Sequence, residues 1–128
     1  MTNVDLVKSI YANFEKGDVP AALALFDPAM EWRECPGMPF VKGDGVFIGP
    51  EAVVTNVFMQ LPLAFDGFKV VVTDVFGEGN KVAMVGYYQR ANKVSSRPFK
   101  ANATHIWTLK NGIMTHFFQA VVTAVLNR

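Results

Sequence analysis

The sequence predicts an α+β protein in which a curved antiparallel sheet and three N-terminal helices form a cone-shaped pocket. Helical periodicity and helix-end signals are concentrated in the first half of the chain, whereas β-rich segments joined by turns fill the second half. The length of 128 residues is typical of one domain, and a content of 51% hydrophobic and 18% charged residues is typical of a globular chain. We therefore expect one domain over residues 1–128.

The first half of the chain contains three helical patterns. Apolar residues recur at helical spacing over residues 3–16, and Gly17 stands where a left-handed helix end is favoured. Asp18 is a suitable N-cap for a second helix, which we expect to end before Asp27-Pro28. A third helix is predicted from Gly49-Pro50-Glu51 to Leu61, with Pro62 closing it.

The second half reads as an antiparallel meander. Asn111-Gly112 is a strong hairpin signal between the last two strands, and 77–80 reads as another turn. A short strand is also predicted earlier in the chain, followed by a loop rich in Gly and Pro over residues 36–49. The predicted strands cover residues 30–35, 68–76, 81–90, 97–110 and 113–121.

Several short motifs follow one another along the chain: Gly17-Asp18, Glu31-Trp32-Arg33-Glu34 with Pro36-Gly37, Gly49-Pro50-Glu51-Ala52-Val53, Arg97-Pro98-Phe99, His105-Ile106-Trp107 and Phe117 to Gln119. With these motifs, the order of the elements resembles the nuclear-transport-factor-2-like (NTF2-like) superfamily and its SnoaL-like, ketosteroid-isomerase-related branch. The resemblance covers nearly the whole chain and implies the same cone-shaped, cystatin-like fold. Because this fold carries isomerases, cyclases, hydrolases and non-catalytic binders, it implies no single activity.

Strand alternation predicts which side chains line the pocket. Successive residues of a strand point to opposite faces, so His105 and Trp107 share one face, and Phe117 and Gln119 share the corresponding face of the next strand. The side chains expected to bind a small apolar molecule are Trp32, Trp107, Phe117, Gln119, Tyr88 and Phe14, with Ile10 as a further candidate.

Glu34 and His105 are the candidate catalytic residues. The resemblance implies that Glu34 takes the place of the carboxylate with which ketosteroid isomerase removes a proton next to a carbonyl. An apolar pocket raises the pKa of a carboxyl group, which suits a general base near neutral pH. The resemblance also places His105, helped by Gln119, where a developing oxyanion is stabilised. The alternatives are a strand-end glutamate that is solvated or is paired with Arg33 or another cation, and a core histidine bonded to a neighbouring backbone group.

Two departures from the isomerase pattern leave the function open. Counting back from Gly17-Asp18 puts Ile10 at the place of a first-helix tyrosine, and Tyr11 is displaced by one residue, about 100° around a helix. Val122 stands where many relatives carry an acidic residue. The two readings are therefore an acid–base enzyme that isomerises, cyclises or hydrolyses a small apolar carbonyl-bearing or cyclic molecule, and a non-catalytic ligand-binding or dimerisation domain.

Composition bounds the partners and the compartment. Twelve basic residues against eleven acidic ones give no electrostatic footprint for nucleic acid or for an anionic membrane. Cys35 is the single cysteine, and the first residues contain no basic region followed by an apolar run, so we expect a cytoplasmic protein. No metal-ligand spacing or dinucleotide fingerprint is present, and no cofactor is expected.

The outer face of the predicted sheet also carries apolar residues. Val71, Ile106 and Phe118 are expected to point away from the helices, beside threonines and His116. Because an apolar patch of this kind usually marks an interface, the sequence predicts a homodimer packed through the outer sheet face.

Overall fold

The first helix, α1, runs over Asn3–Glu15 in the computed structural model, which describes residues 1–127. A capping box starts it: the Thr2 hydroxyl accepts a hydrogen bond from the Asp5 amide at 3.1 Å, and the Asp5 carboxylate accepts one from the Thr2 amide at 3.2 Å. Gly17, with φ of 78°, follows the helix end as expected. The helix buries Val7 and Ile10 completely.

The remaining helices are short. Helix α2 spans Val19–Leu23, and its N-cap Asp18 accepts a hydrogen bond from the Ala21 amide. The predicted third helix is broken: α3, a π-helical turn and α4 cover Pro50–Val53, Val54–Phe58 and Leu61–Ala64. Pro62 lies in the first turn of α4 and does not close the preceding helix, because a proline is tolerated where no intrahelical donor is needed. Helix α5, Thr123–Leu126, was not predicted.

Six strands form one sheet in the order β2-β1-β6-β5-β4-β3. All neighbouring pairs are antiparallel except β1 with β6, which are parallel. The prediction of an α+β fold with N-terminal helices and a largely antiparallel sheet is therefore confirmed. The strands are β1 Phe26–Arg33, β2 Val46–Ile48, β3 Phe65–Glu78, β4 Lys81–Asn92, β5 Pro98–Lys110 and β6 Ile113–Val121.

The prediction was wrong about the bounds of the first strand. It begins at Phe26, not Met30, and it includes Pro28. The pairing of β1 with β6 is interrupted between Phe26 and Glu31, so the proline, which has no amide proton, removes no hydrogen bond between the strands. Glu34 and Cys35 follow the strand end, and the Glu34 amide donates to the Gly45 carbonyl at 2.8 Å. The predicted loop also contributes β2, which pairs with β1.

The helices cover the concave face of the sheet, and most of the buried apolar side chains lie between the two layers. No helix within residues 1–127 is both long enough and apolar enough to cross a membrane.

Candidate functional site

The concave face of the sheet and the helices form a cavity of about 910 Å³ that is open to solvent on one side. This volume is within the range of small-molecule sites. The structure brings all eight of the predicted site residues to the cavity wall; that any of them contacts a ligand stays a prediction. They are Phe14, Trp32, Glu34, Tyr88, His105, Trp107, Phe117 and Gln119.

Strand register brings these side chains together. His105 of β5 pairs with Gln119 of β6, and Trp107 pairs with Phe117. On its other side Phe117 is in register with Trp32 of β1. Because paired residues point to the same face of a sheet, one inward row crosses three strands.

Aromatic rings form the floor of the cavity. Trp32 and Phe117 are stacked with ring centroids 3.7 Å apart, and Trp107 approaches Phe117 edge-on at 4.7 Å. Phe58, from the π-helical turn, packs edge-on against Trp32 at 5.5 Å. Such a floor offers a flat apolar ligand dispersion contacts and excludes water from the polar groups beside it.

Glu34 lies in this aromatic environment with 3% of its surface exposed. Its Oε2 accepts a hydrogen bond from Trp32 Nε1 at 2.9 Å. Burial raises the pKa of the Glu34 carboxyl to about 7, although hydrogen bonds from Trp32 and the Cys35 backbone oppose the rise. Arg33, the cation considered as its partner, lies 3.8 Å from Glu31 instead. The group is thus neither solvated nor neutralised by that arginine.

His105 is buried on the cavity wall, and both of its ring nitrogens are hydrogen-bonded to tyrosines. Its Nδ1 lies 2.7 Å from the Tyr11 hydroxyl, and its Nε2 lies 2.5 Å from the Tyr88 hydroxyl. Tyr88 also donates to Gln119 Oε1, and Trp107 Nε1 donates to Tyr11 at 2.9 Å. Burial lowers the pKa of His105 to about 3, so the imidazole is neutral at physiological pH.

Tyr11 is a cavity residue that the sequence interpretation missed. Ile10, counted onto the tyrosine position of the isomerases and proposed as a lining residue, is instead fully buried in the core between helix and sheet. Tyr11 lines the cavity and reaches His105. Spacing along α1 could not have separated the two residues, because Tyr11 and Ile10 lie three and four residues before Phe14 and both spacings place side chains on the same side of a helix.

Cys35 and Val122 both lie near the C-terminal end of β6. Cys35 is a free, partly buried thiol next to the C-terminal end of β6, with its Sγ 3.9 Å from the Val121 carbonyl oxygen. Val122 is about half exposed, at the start of α5. Among residues 1–127, no group of three or more His, Cys, Asp or Glu side chains lies close enough to hold a metal ion.

The fold, with a cavity between its helices and its sheet, defines an NTF2-like protein, and comparison with known proteins specifies the family. The chain belongs to the SnoaL-like domain family, whose pattern matches residues 7–117. No curated protein sequence matches the chain significantly.

Solved structures resemble the protein over nearly its whole length. An NTF2-like protein from Burkholderia thailandensis E264 is 28% identical, with a TM-score of 0.92 over 99% of this chain and 95% of that one. TerC, co-crystallised with polyporic acid, is 18% identical over 98% of both chains, with a TM-score of 0.84. A protein of unknown function with a cystatin-like fold from Xanthomonas campestris is 17% identical over 98% of this chain and 97% of that chain, with a TM-score of 0.82.

Proposed function

We propose that this protein binds a small, largely apolar, carbonyl-bearing molecule in its cavity, and that Glu34 moves a proton in an isomerisation, cyclisation or hydrolysis. The observation that carries this proposal is the buried Glu34 carboxyl group on an aromatic wall. It accepts a hydrogen bond from the Trp32 indole N–H, and Arg33 lies near Glu31 instead of neutralising it. A carboxyl group in these surroundings differs from a surface glutamate in both access to water and basicity.

The acid–base role follows from the pKa of Glu34. With a pKa of about 7, both the protonated and the ionised form are populated near neutral pH. A general base is most effective when its pKa lies close to the working pH, because it must be free to accept a proton and basic enough to hold it. This proton transfer needs no cofactor.

The aromatic side chains would position and desolvate the substrate. Trp32, Trp107 and Phe117 pack against one another on the cavity wall, and Trp32 holds the Glu34 carboxyl. A ligand lying on them displaces water, which strengthens every electrostatic interaction with the reacting atoms. The co-crystal of TerC with polyporic acid supports a small organic molecule as the type of ligand.

Binding without turnover is the second candidate function. Both ring nitrogens of His105 are already bonded to tyrosines, so this residue has no free donor for a ligand. A cavity whose one proton-transfer group is Glu34 is compatible with a binding protein as well as with an enzyme. Measured proton transfer is therefore what distinguishes the two candidates.

The test is exchange of carbon-bound protons in D2O with a panel of enolisable aromatic ketones led by 2-tetralone. We expect the wild-type protein to accelerate exchange next to the carbonyl, and Glu34→Gln to lower the rate about 100-fold or more. Glu31→Gln, which neutralises a half-exposed carboxylate on the other face of β1, is the matched control and should retain the wild-type rate. Equal rates for wild type and Glu34→Gln would leave ligand binding as the function.

A further inference from the structure

The cavity opens to solvent between α1 and the edge of the sheet formed by β3 and β4. Within residues 1–127, the exposed residues of its wall lie on these three elements, and the charged ones among them form a rim. They are Lys8 and Glu15 on α1, Lys69 on β3 and Arg90 on β4. Glu34, the other carboxyl group of the wall, is buried on the aromatic inner side. The rim therefore has more cations than carboxylates, and such a rim attracts an anionic ligand.

Arg90 has a backbone conformation that favours glycine. Its φ is 117°, and residues other than glycine are uncommon at positive φ. The pairing of β3 with β4 shifts register at this point, so that Gly67 and Phe68 together stand opposite Arg90 in a β-bulge. Bulges change the direction of a side chain, and strained backbone of this kind is concentrated at ligand-binding and active sites. The distortion therefore marks Arg90 as a candidate ligand-binding residue.

The bulge leads the Arg90 side chain across Gly67. A Cβ atom at Gly67 would lie 3.5 Å from Arg90 Cγ and 3.6 Å from its Cδ, so the aliphatic part of the arginine covers the glycine. The other bulge residue, Phe68, packs against Tyr88 with ring centroids 4.8 Å apart. Gly67, Phe68 and Arg90 all line the cavity. The bulge thus brings a cation and an aromatic ring to the same part of the rim.

The charge of Arg90 has no partner within the part of the chain that the structure describes. The ion-pair contacts there join Glu31 to Arg33 and to His116, and no hydrogen bond reaches the Arg90 guanidinium. A guanidinium presents its N–H groups as a planar fork that matches the two oxygens of a carboxylate. Because this fork stands unused at the mouth of a largely apolar cavity, it is available to a carboxylate on a ligand whose remainder is apolar.

We propose that the ligand is an apolar ring system that carries a carboxylate, and that Arg90 binds this carboxylate at the cavity mouth. The inference rests on the proposed function and names its substrate class as keto acids. The ring system and its ketone lie on the aromatic floor beside Glu34, and the carboxylate stays at the rim. This orientation is the favourable one, because a second carboxylate beside ionised Glu34 meets a like charge and loses its water. Lys8 and Lys69 strengthen the attraction, and Glu15 weakens it.

Binding of a matched pair of ligands tests the proposal. The acid is 6-carboxy-2-tetralone, and its primary carboxamide is the neutral counterpart of the same shape. Isothermal titration calorimetry of the wild-type protein should show about tenfold tighter binding of the acid, and added salt should reduce this preference. Arg90→Gln should abolish the preference, and Arg90→Lys should keep part of it, since the charge remains while the fork is lost. Arg97→Gln, which removes an exposed charge outside the cavity wall, should leave it intact.

The strained backbone provides a second measurement. Arg90→Gly places the residue that tolerates positive φ at this position, so it should unfold at no lower temperature than the wild type while losing the preference for the acid. This combination is expected only if the arginine is held there for a ligand. A lower unfolding temperature together with an unchanged ligand preference would assign Arg90 to packing over Gly67 and overturn the proposal.

This proposal and the proposed function fail in different ways. If proton exchange depends on Glu34 while Arg90→Gln keeps the preference for the acid, the carboxylate site is overturned and the proposed function stands. If the preference depends on Arg90 but exchange does not depend on Glu34, the carboxylate site stands and the proton transfer is overturned. Equal binding of the acid and the carboxamide by the wild-type protein, or no binding of either, would overturn the carboxylate site.

Discussion

The two faces of the sheet differ in what they contain, although consecutive residues supply them. Phe117 and Phe118 are neighbours on β6, yet Phe117 is 2% exposed on the cavity floor whereas Phe118 is 47% exposed on the outer face. The concave face holds the buried polar residues Glu34, His105 and Gln119 among aromatic rings. The alternation of a strand has therefore assigned adjacent side chains to two different environments.

The outer face has its own order. Phe76, Ala83, Ile106 and Phe118 are paired in register across β3, β4, β5 and β6, so they form a continuous apolar row across the sheet. Phe76 is 54% exposed. The comparison teaches that the concave face buries its polar groups among aromatic rings, whereas the outer face leaves both its apolar row and its polar side chains, such as Thr108 and His116, in contact with solvent.

The largest effect on stability should come from truncating a ring on the concave face, compared with the same truncation on the outer face. Phe117→Ala removes a buried ring from the cavity floor and should lower the free energy of unfolding by about 3–5 kcal/mol. Phe118→Ala, the same substitution on the neighbouring residue, should cost less than about 1 kcal/mol in the folded monomer. Urea unfolding at matched protein concentration measures both. Equal losses would mean that the two faces do not differ as described.

The next effect is the pH dependence that Glu34 gives to stability. Its pKa is about 7 in the folded protein and near 4.5 when unfolded, so the folded state binds the extra proton between these values. The contribution of Glu34 to the free energy of unfolding is therefore fully present below about pH 4.5 and is lost as the pH rises through about 7. Glu34→Gln, which stays neutral, should be more stable than the wild type by roughly 3 kcal/mol at about pH 8.

His105 contributes the opposite slope and must be separated from Glu34. Its pKa of about 3 lies below the unfolded value of 6.5, so its contribution is lost as the pH falls below about 6.5. The difference between Glu34→Gln and wild type, measured at each pH, removes the histidine contribution. A difference that does not change between about pH 5 and pH 8 would show that Glu34 has an ordinary pKa.

A charge in the outer apolar row should have the smallest effect on folding and the largest effect on self-association. If the outer row is a homodimer interface, Phe118→Glu should convert a dimer into a monomer in sedimentation velocity while changing the unfolding of the monomer little. Lys100→Glu, beside Tyr87 on the same face but outside the apolar row, serves as a charge-change control. A monomeric wild-type protein at micromolar concentration would rule out this use of the outer face.

Much of the site was predictable because it depends on local alternation. The spacing within β5 and β6 was enough to assign His105, Trp107, Phe117 and Gln119 to one face. Trp32 and Glu34 were assigned to the same face because a single residue separates them. Helix α1 and the Gly17 that ends it were predicted for the same reason, since the periodicity and the helix-end glycine are neighbours in sequence.

The missed features depend on contacts between distant segments. Strand β2 has three residues and forms only against β1, and the π-helical turn interrupts a segment with ordinary helical periodicity. The position of Tyr11 was taken from alignment to an isomerase pattern, whereas the packing of Ile10 into the core decides it. The hydrogen bonds around His105 join α1, β4, β5 and β6 in one network, which no local pattern shows.

The most direct test of the account is the titration of the Glu34 side-chain carboxyl by carbon-detected NMR, with Glu34→Gln to assign its signal. The account predicts a pKa of about 7 that changes when 2-tetralone is added. A pKa near 4.5 that does not respond to the ketone would contradict the claim that Glu34 is a proton-transfer group in a ligand-binding cavity.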